Sequence, residues 1–189
     1  MQLRPLKTDF VKTIFIVAVG VLVLLVVARA FTGAGRKTPA VGEVAPLVAG
    51  VDQDGKPWKL ADLVGKKIVL FYFYPKDDTS GCTKEACGLR DRMGELQTNN
   101  VQVVGVSFDS EASHRKFIAK YSLNFPLLAD TEGKITDAYG ARFLGRMNMA
   151  RRVSFLIGLD GKITHVTDTM SAEAHLAEMR EAIAGLAKK

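Results

Sequence analysis

Lys67-Ile68-Val69-Leu70-Phe71-Tyr72-Phe73-Tyr74-Pro75-Lys76-Asp77-Asp78-Thr79-Ser80-Gly81-Cys82 is the stretch whose reading decides the fold. Its first half is nearly all apolar, β-branched or aromatic, the composition of a strand covered on both faces. Pro75 stops that strand, because it brings no N–H to a ladder. A helix is expected from Gly81 to about Leu96, since Ala86, Leu89, Arg90, Met93 and Leu96 recur near the helical period. Cys82 therefore falls in the first turn of a helix that follows directly on a buried strand. Unpaired N–H groups and the positive end of the helix dipole lie there, and both favour thiolate over thiol.

Outward from this junction, strands and helices alternate. Val101 to Phe108 reads as the next buried strand and Ser110 to Tyr121 as a helix with Ser110 as its cap. Leu127 to Ala129 reads as a short strand and Lys134 to Tyr139 as a short helix. Val153 to Ile157 and Lys162 to Val166 flank Asp160-Gly161, and Val48 to Val51 and Lys56 to Trp58 flank Asp54-Gly55; both are hairpin signals. Ser171 to Ala187 closes the chain as an amphipathic helix. The pattern predicts an α/β fold with a mixed central sheet flanked by helices.

The N-terminal forty residues differ in character. Ile14 to Ala28 is an unbroken, uncharged run with Arg4, Lys7 and Lys12 before it. Fifteen residues lie between a signal-peptide core and a full span of about 20 residues. If Lys12 and Arg29 snorkel, Phe10 to Phe31 reaches spanning length. A retained anchor over residues 1–31 is the favoured reading. Cleavage at Ala28-Arg29-Ala30, leaving a soluble periplasmic protein, is the alternative. Positively charged residues stand on both sides of the run, so charge alone barely sets the orientation. The short tail and long following domain favour a cytoplasmic tail and an exported domain. Residues 32–38 read as a linker and 39–189 as a single domain.

With 189 residues, 48% apolar residues and ten Phe, the chain can bury a real core. The formal charge of +6 gathers at the N-terminal segment and the tail, with no basic run interleaved with aromatics, so nucleic-acid binding is not expected. His114, His165 and His175 form no metal-ligand spacing with the two cysteines and read as surface residues. Asp77 and Asp78 are expected to face solvent, offset by Lys76 and Lys84.

Cys87 is five residues after Cys82 in the same helix. An intact helix holds such a pair roughly 8.5 Å apart at Cα, beyond the about 7 Å that a disulfide tolerates. A static bridge is disfavoured, and a redox cycle coupled to helix opening is favoured; Gly81 and Gly88 would ease it. Thr79 reads equally as a helix cap or a holder of a substrate oxygen. Pro75 reads equally as a strand stop or a shield over the thiol.

Phe73 to Asp91 resembles the active-site segment of peroxiredoxins, and is most similar to the Q-type group, also called bacterioferritin comigratory protein. Pro75-x-x-x-Thr79-x-x-Cys82 is present in full, and a second cysteine five residues on marks that group. The similarity runs from about Pro39 to the C-terminus. Arg152-Val153-Ser154-Phe155-Leu156-Ile157 resembles the family's arginine-bearing strand. The resemblance implies a thioredoxin-like fold, a peroxide substrate, no metal or organic cofactor, and reduction by a thioredoxin-type protein. It implies Cys82 as peroxidatic nucleophile, Cys87 as resolving thiol, Thr79 as peroxide hydrogen-bonder, Pro75 as shield and Arg152 as stabiliser of negative charge. Arg151 is the adjacent candidate, and strand alternation lets only one of the two face the site. Glu85 is read as a favourable first-turn carboxylate without a catalytic role. A monomer is expected. Two features depart from the group: Ser80 stands where Pro is usual, which loosens the helix start, and the apolar N-terminal segment is unusual.

The cysteine pattern leaves two further readings. One is a membrane-tethered thiol–disulfide oxidoreductase, against which the absence of Cys-x-x-Cys weighs heavily. The other is a redox-inert anchored binding module on the same fold.

Overall fold

The computed structural model describes residues 38–143 and 148–186. The apolar segment at residues 10–31 lies outside them. Among the described residues no helix is long and apolar enough to cross a membrane.

The apolar run forms strand β3 (Ile68–Phe73), and it is the centre of the molecule. It pairs in parallel with β4 (Val101–Ser107) and antiparallel with β6 (Val153–Ile157). β5 (Leu127–Ala129) continues the parallel side beyond β4, and β7 (Ile163–Thr167) the antiparallel side beyond β6. The five-stranded order is β5-β4-β3-β6-β7. A separate hairpin joins β1 (Ala49–Val51) and β2 (Pro57–Lys59). Both turn signals hold: Gly55 and Gly161 have φ of +74° and +75°, which a side chain would strain.

Alternation along β3 sorts its side chains into two cores, as a doubly covered strand requires. Val69, Phe71 and Phe73 face a cluster that includes Tyr139, Phe155 and Leu60. Leu70, Tyr72 and Tyr74 face another that includes Cys82, Leu89, Phe117, Leu156 and Met179. Gly105 lies opposite Tyr72 on the neighbouring strand; a Cβ there would stand 2.8 Å from the Tyr72 ring and 2.6 Å from Leu127.

Helices cover the second face. The expected Gly81–Leu96 helix is two helices, α1 (Ser80–Arg90) and α2 (Met93–Thr98). The break falls at Asp91-Arg92: Arg92 leaves helical geometry at φ −104°, ψ 8°, and Arg90 reaches away to the Tyr121 carbonyl. Periodicity survives such a break, which is why the pattern alone reads through it. α3 (Glu111–Tyr121) begins where Ser110 caps it by accepting from the Ser113 N–H. α4 (Lys134–Ala138) is short and lies on the first face through Ile135 and Ala138, and α5 (Ala172–Leu186) packs against α1.

Candidate active site

The strand-to-helix junction places Cys82 in the first turn of α1, where it is 2% exposed. Cys87 lies in the same unbroken helix, half-buried, and both cysteines are free thiols.

Arg152 reaches Cys82 from the residue just before β6, its Nη2 donating to Sγ at 3.5 Å. Alternation explains why Arg152 and not Arg151. Ser154 and Leu156, two and four residues on, face the same side as Cys82. Arg151 points elsewhere: it pairs with Asp168 and donates to Thr38 Oγ1 at 2.7 Å. Arg152 is buried, as a guanidinium that serves a buried thiol must be. Gly81 lets it in, because a Cβ there would lie 3.2 Å from Nη2.

Glu85 corrects the sequence reading. α1 begins at Ser80, so Glu85 lies beyond the first turn and gains little from the dipole. It is fully buried, and its Oε2 accepts from Arg152 Nη1. Burial pushes its carboxyl up to about 7, against the pull of Arg152. Its other oxygen, Oε1, stands 3.4 Å from His175 Nε2, and Ser154 Oγ lies 2.8 Å from the same nitrogen. Burial depresses His175 to about 4, so its ring is neutral near pH 7.

The expectation of surface histidines therefore holds for neither His114 nor His175, both wholly buried; His165 alone is half-exposed. Nor does Asp77 face solvent: it is 7% exposed, and its carboxylate takes up Tyr74 OH at 2.7 Å, Ser113 Oγ at 2.8 Å and His114 Nδ1 at 2.9 Å. The opposite ring nitrogen of His114 lies 3.1 Å from the Leu128 carbonyl. The Asp77 N–H donates to Asp109, which Ser107 holds in turn. These bonds pin the loop between Pro75 and α1. Asp78 is exposed as expected, with Lys120 and Tyr121 holding its carboxyl below the usual range, and Lys84 pairs with Glu173 instead.

Thr79 precedes α1 with its hydroxyl donating to the Lys76 carbonyl at 3.1 Å, and it gives the helix no side-chain cap. It is exposed, three residues before Cys82. Pro75 is half-buried and lines a cleft of about 290 Å³ with Lys76, Phe108, Asp109, Asn148 and Met149. Among the described residues no cluster of side chains has the make-up of a metal site.

The residues overlooked in the sequence carried one usable signal. His114 shares a helical stripe with Phe117, Ile118 and Tyr121, and His175 one with Ala172, Leu176, Met179 and Ile183. A polar residue on an apolar stripe is a buried residue that needs a partner.

A thiol at a helix start with a guanidinium on its sulfur is equipped for nucleophilic attack. The comparisons with known proteins name the chemistry. A family model described as the AhpC/TSA family matches residues 41–166. This chain belongs to that family, among its peroxiredoxins of the Bcp, or Q, type. It is 42% identical to a putative peroxiredoxin bcp of Coxiella burnetii, over 74% of this chain and 95% of that relative. It is also 42% identical to peroxiredoxin Bcp of Escherichia coli, over 71% of this chain and 88% of the relative. Among solved structures, peroxidoxin BcpB of Mycobacterium tuberculosis superposes with a TM-score of 0.72 at 31% identity, covering 79% of this chain and 97% of that one. The Q-type peroxiredoxin therefore has the expected thioredoxin-like fold, and it is a thiol-dependent peroxidase.

Proposed function

We propose that this peroxidase runs its cycle on Cys82 and Cys87 and is recycled by a thioredoxin-type protein. The observation that carries the proposal is the Arg152 guanidinium on Cys82 Sγ at the first turn of α1. The Cys82 thiolate attacks the peroxide O–O bond, taking one oxygen as sulfenic acid and releasing water or an alcohol. Arg152 offsets negative charge on the sulfur and on the departing oxygen. Thr79 holds the peroxide by its hydroxyl, and Pro75 screens the sulfur from water.

The second step needs motion. Both cysteines sit in one intact helix, whose geometry keeps them roughly 8.5 Å apart at Cα. α1 must unwind before the Cys87 thiolate attacks the sulfenic sulfur and expels hydroxide. An external dithiol then reduces the disulfide by exchange. Both cysteines of the cycle come from one chain, which supports action as a monomer. The uncharged run from Ile14 to Ala28 supports attachment to a membrane through residues 10–31 with the catalytic domain exported. The same run followed by cleavage would leave the domain soluble in the periplasm.

Mass spectrometry of natively purified protein, before and after one equivalent of hydrogen peroxide, tests both parts. A Cys82–Cys87 link after peroxide and a mature N-terminus that retains residues 10–31 are expected. Peroxide turnover that survives Cys82→Ser would overturn the assignment of the nucleophile, and an N-terminus beginning after Ala30 would overturn the anchor.

A further inference from the structure

Glu85 lies between the two cysteines, in the stretch of α1 that the resolving step must unwind. One of its oxygens is committed to Arg152. The other, Oε1, makes no hydrogen bond among the described residues, and His175 Nε2 faces it at 3.4 Å. The same nitrogen lies 2.8 Å from Ser154 Oγ. Glu85 Oε1 and Ser154 Oγ thus meet the same ring nitrogen, the carboxyl oxygen at the longer distance.

His175 comes from α5, and the contact is flanked on both sides. Lys84 pairs with Glu173 just before it. Beyond it, Gly88 lies so close to Leu176 that a Cβ would stand 2.6 Å from Cδ1. Glu173, His175 and Leu176 thus run along Lys84, Glu85 and Gly88. The surface pair is screened by water and contributes little, while the buried one sits where each polar contact is costly to lose.

We propose that His175 is a positioning residue of the resolving step: by holding the second oxygen of Glu85 against α5, it sets how readily α1 unwinds to bring Cys87 to Cys82. The proposal rests on the two-cysteine cycle above. In the step it governs, the Cys87 sulfur forms an S–S bond with Cys82 and the S–O bond of the sulfenic acid breaks. The sulfenic sulfur is reduced, the Cys87 sulfur is oxidised, and the leaving hydroxide takes a proton from solvent. No oxidant beyond the peroxide already consumed is needed. Unwinding carries Glu85 out of its buried site and parts it from His175, so a weaker contact favours the unwound helix.

The test uses the full chain with His175→Leu, which fills the space without a donor, and His175→Gln, whose amide nitrogen reaches the place of Nε2. His175→Asn, whose amide stops short of Glu85, serves if the leucine variant fails to fold. Rapid quenching and mass spectrometry follow two rates with hydrogen peroxide: sulfenic acid formation at Cys82 in a Cys87→Ser background, and Cys82–Cys87 disulfide formation. In His175→Leu or His175→Asn the ratio of disulfide formation to sulfenic acid formation rises about two- to threefold, the factor for losing a polar contact at the weak end of the ordinary range. His175→Gln returns it to the parent value. A merely structural histidine would lower the melting temperature and leave the ratio alone. An unchanged or lower ratio in the leucine and asparagine variants, or a glutamine variant indistinguishable from them, overturns the proposal. Absence of Cys82 sulfenic acid in the parent instead overturns the cycle beneath it.

Discussion

Two buried polar clusters flank the reactive thiol, and they are built differently. In front of α1, the Asp77 carboxylate is saturated by Tyr74, Ser113 and His114, and both ring nitrogens of His114 have partners. Behind Cys82, the Glu85–Arg152–His175–Ser154 cluster leaves Glu85 Oε1, Arg152 Nε and His175 Nδ1 without a hydrogen bond among the described residues. A satisfied network makes a rigid anchor. A partly satisfied one is cheaper to leave, and this one includes a residue of the helix that must open. The loop that delivers Cys82 is fixed, while the helix that carries Cys87 is held by a releasable contact.

The comparison breaks most readily at the anchor. Asp77→Ala strips Tyr74, Ser113 and His114 of their shared acceptor and leaves the imidazole buried beside a void. A loss of about 3–5 kcal/mol in urea-denaturation stability is expected, the range for removing one partner of a buried pair. A loss within 1 kcal/mol would mean that the loop does not depend on this network.

Arg152→Met comes next, because it removes the donor to Cys82 and leaves Glu85 facing no cation. The second-order rate of sulfenic acid formation should fall about 10²–10³-fold, the scale for one preorganised donor at a charged transition state. Stopped-flow measurement in a Cys87→Ser background reads this step alone.

The releasable cluster makes a pH prediction of fixed sign. Folding of α1 raises Glu85 from 4.5 to about 7 through burial. A carboxyl raised in the closed helix stabilises that helix fully at low pH, and this contribution is lost as pH rises through about 7. The charged and titratable groups facing it are Arg152, His175, Cys82 and Tyr72; His175, depressed to about 4, stays neutral through the window. Amide exchange across Ser80–Arg90 in the reduced protein, corrected for intrinsic rates, should therefore show opening that becomes more favourable between pH 5 and pH 7.5. Glu85→Gln should flatten that dependence. The smallest effect is expected for Lys84→Ala, since its exposed pair with Glu173 should leave the melting temperature nearly unchanged.

Much of this was legible in the sequence, and what was not shares one cause. β3, the stop at Pro75 and the first-turn place of Cys82 follow from local composition and backbone chemistry. Arg152 could be separated from Arg151 by alternation once a strand was assumed. Asp77, Glu85, His114 and His175 were missed because a polar residue's burial depends on partners far along the chain: Asp77 meets His114 and Glu85 meets Arg152 across long sequence separations. Their neighbours in sequence suggest a solvated loop or a favourable helix turn. The break at Asp91-Arg92 was hidden for a related reason, since α1 and α2 present one continuous apolar stripe to the same core.

The most direct measurement compares amide exchange in the reduced protein with that in protein oxidised by one equivalent of peroxide. The account predicts a Cys82–Cys87 disulfide accompanied by lost protection across Ser80–Arg90, with protection kept in β3 and α3. A disulfide that forms with the protection of α1 unchanged would contradict it.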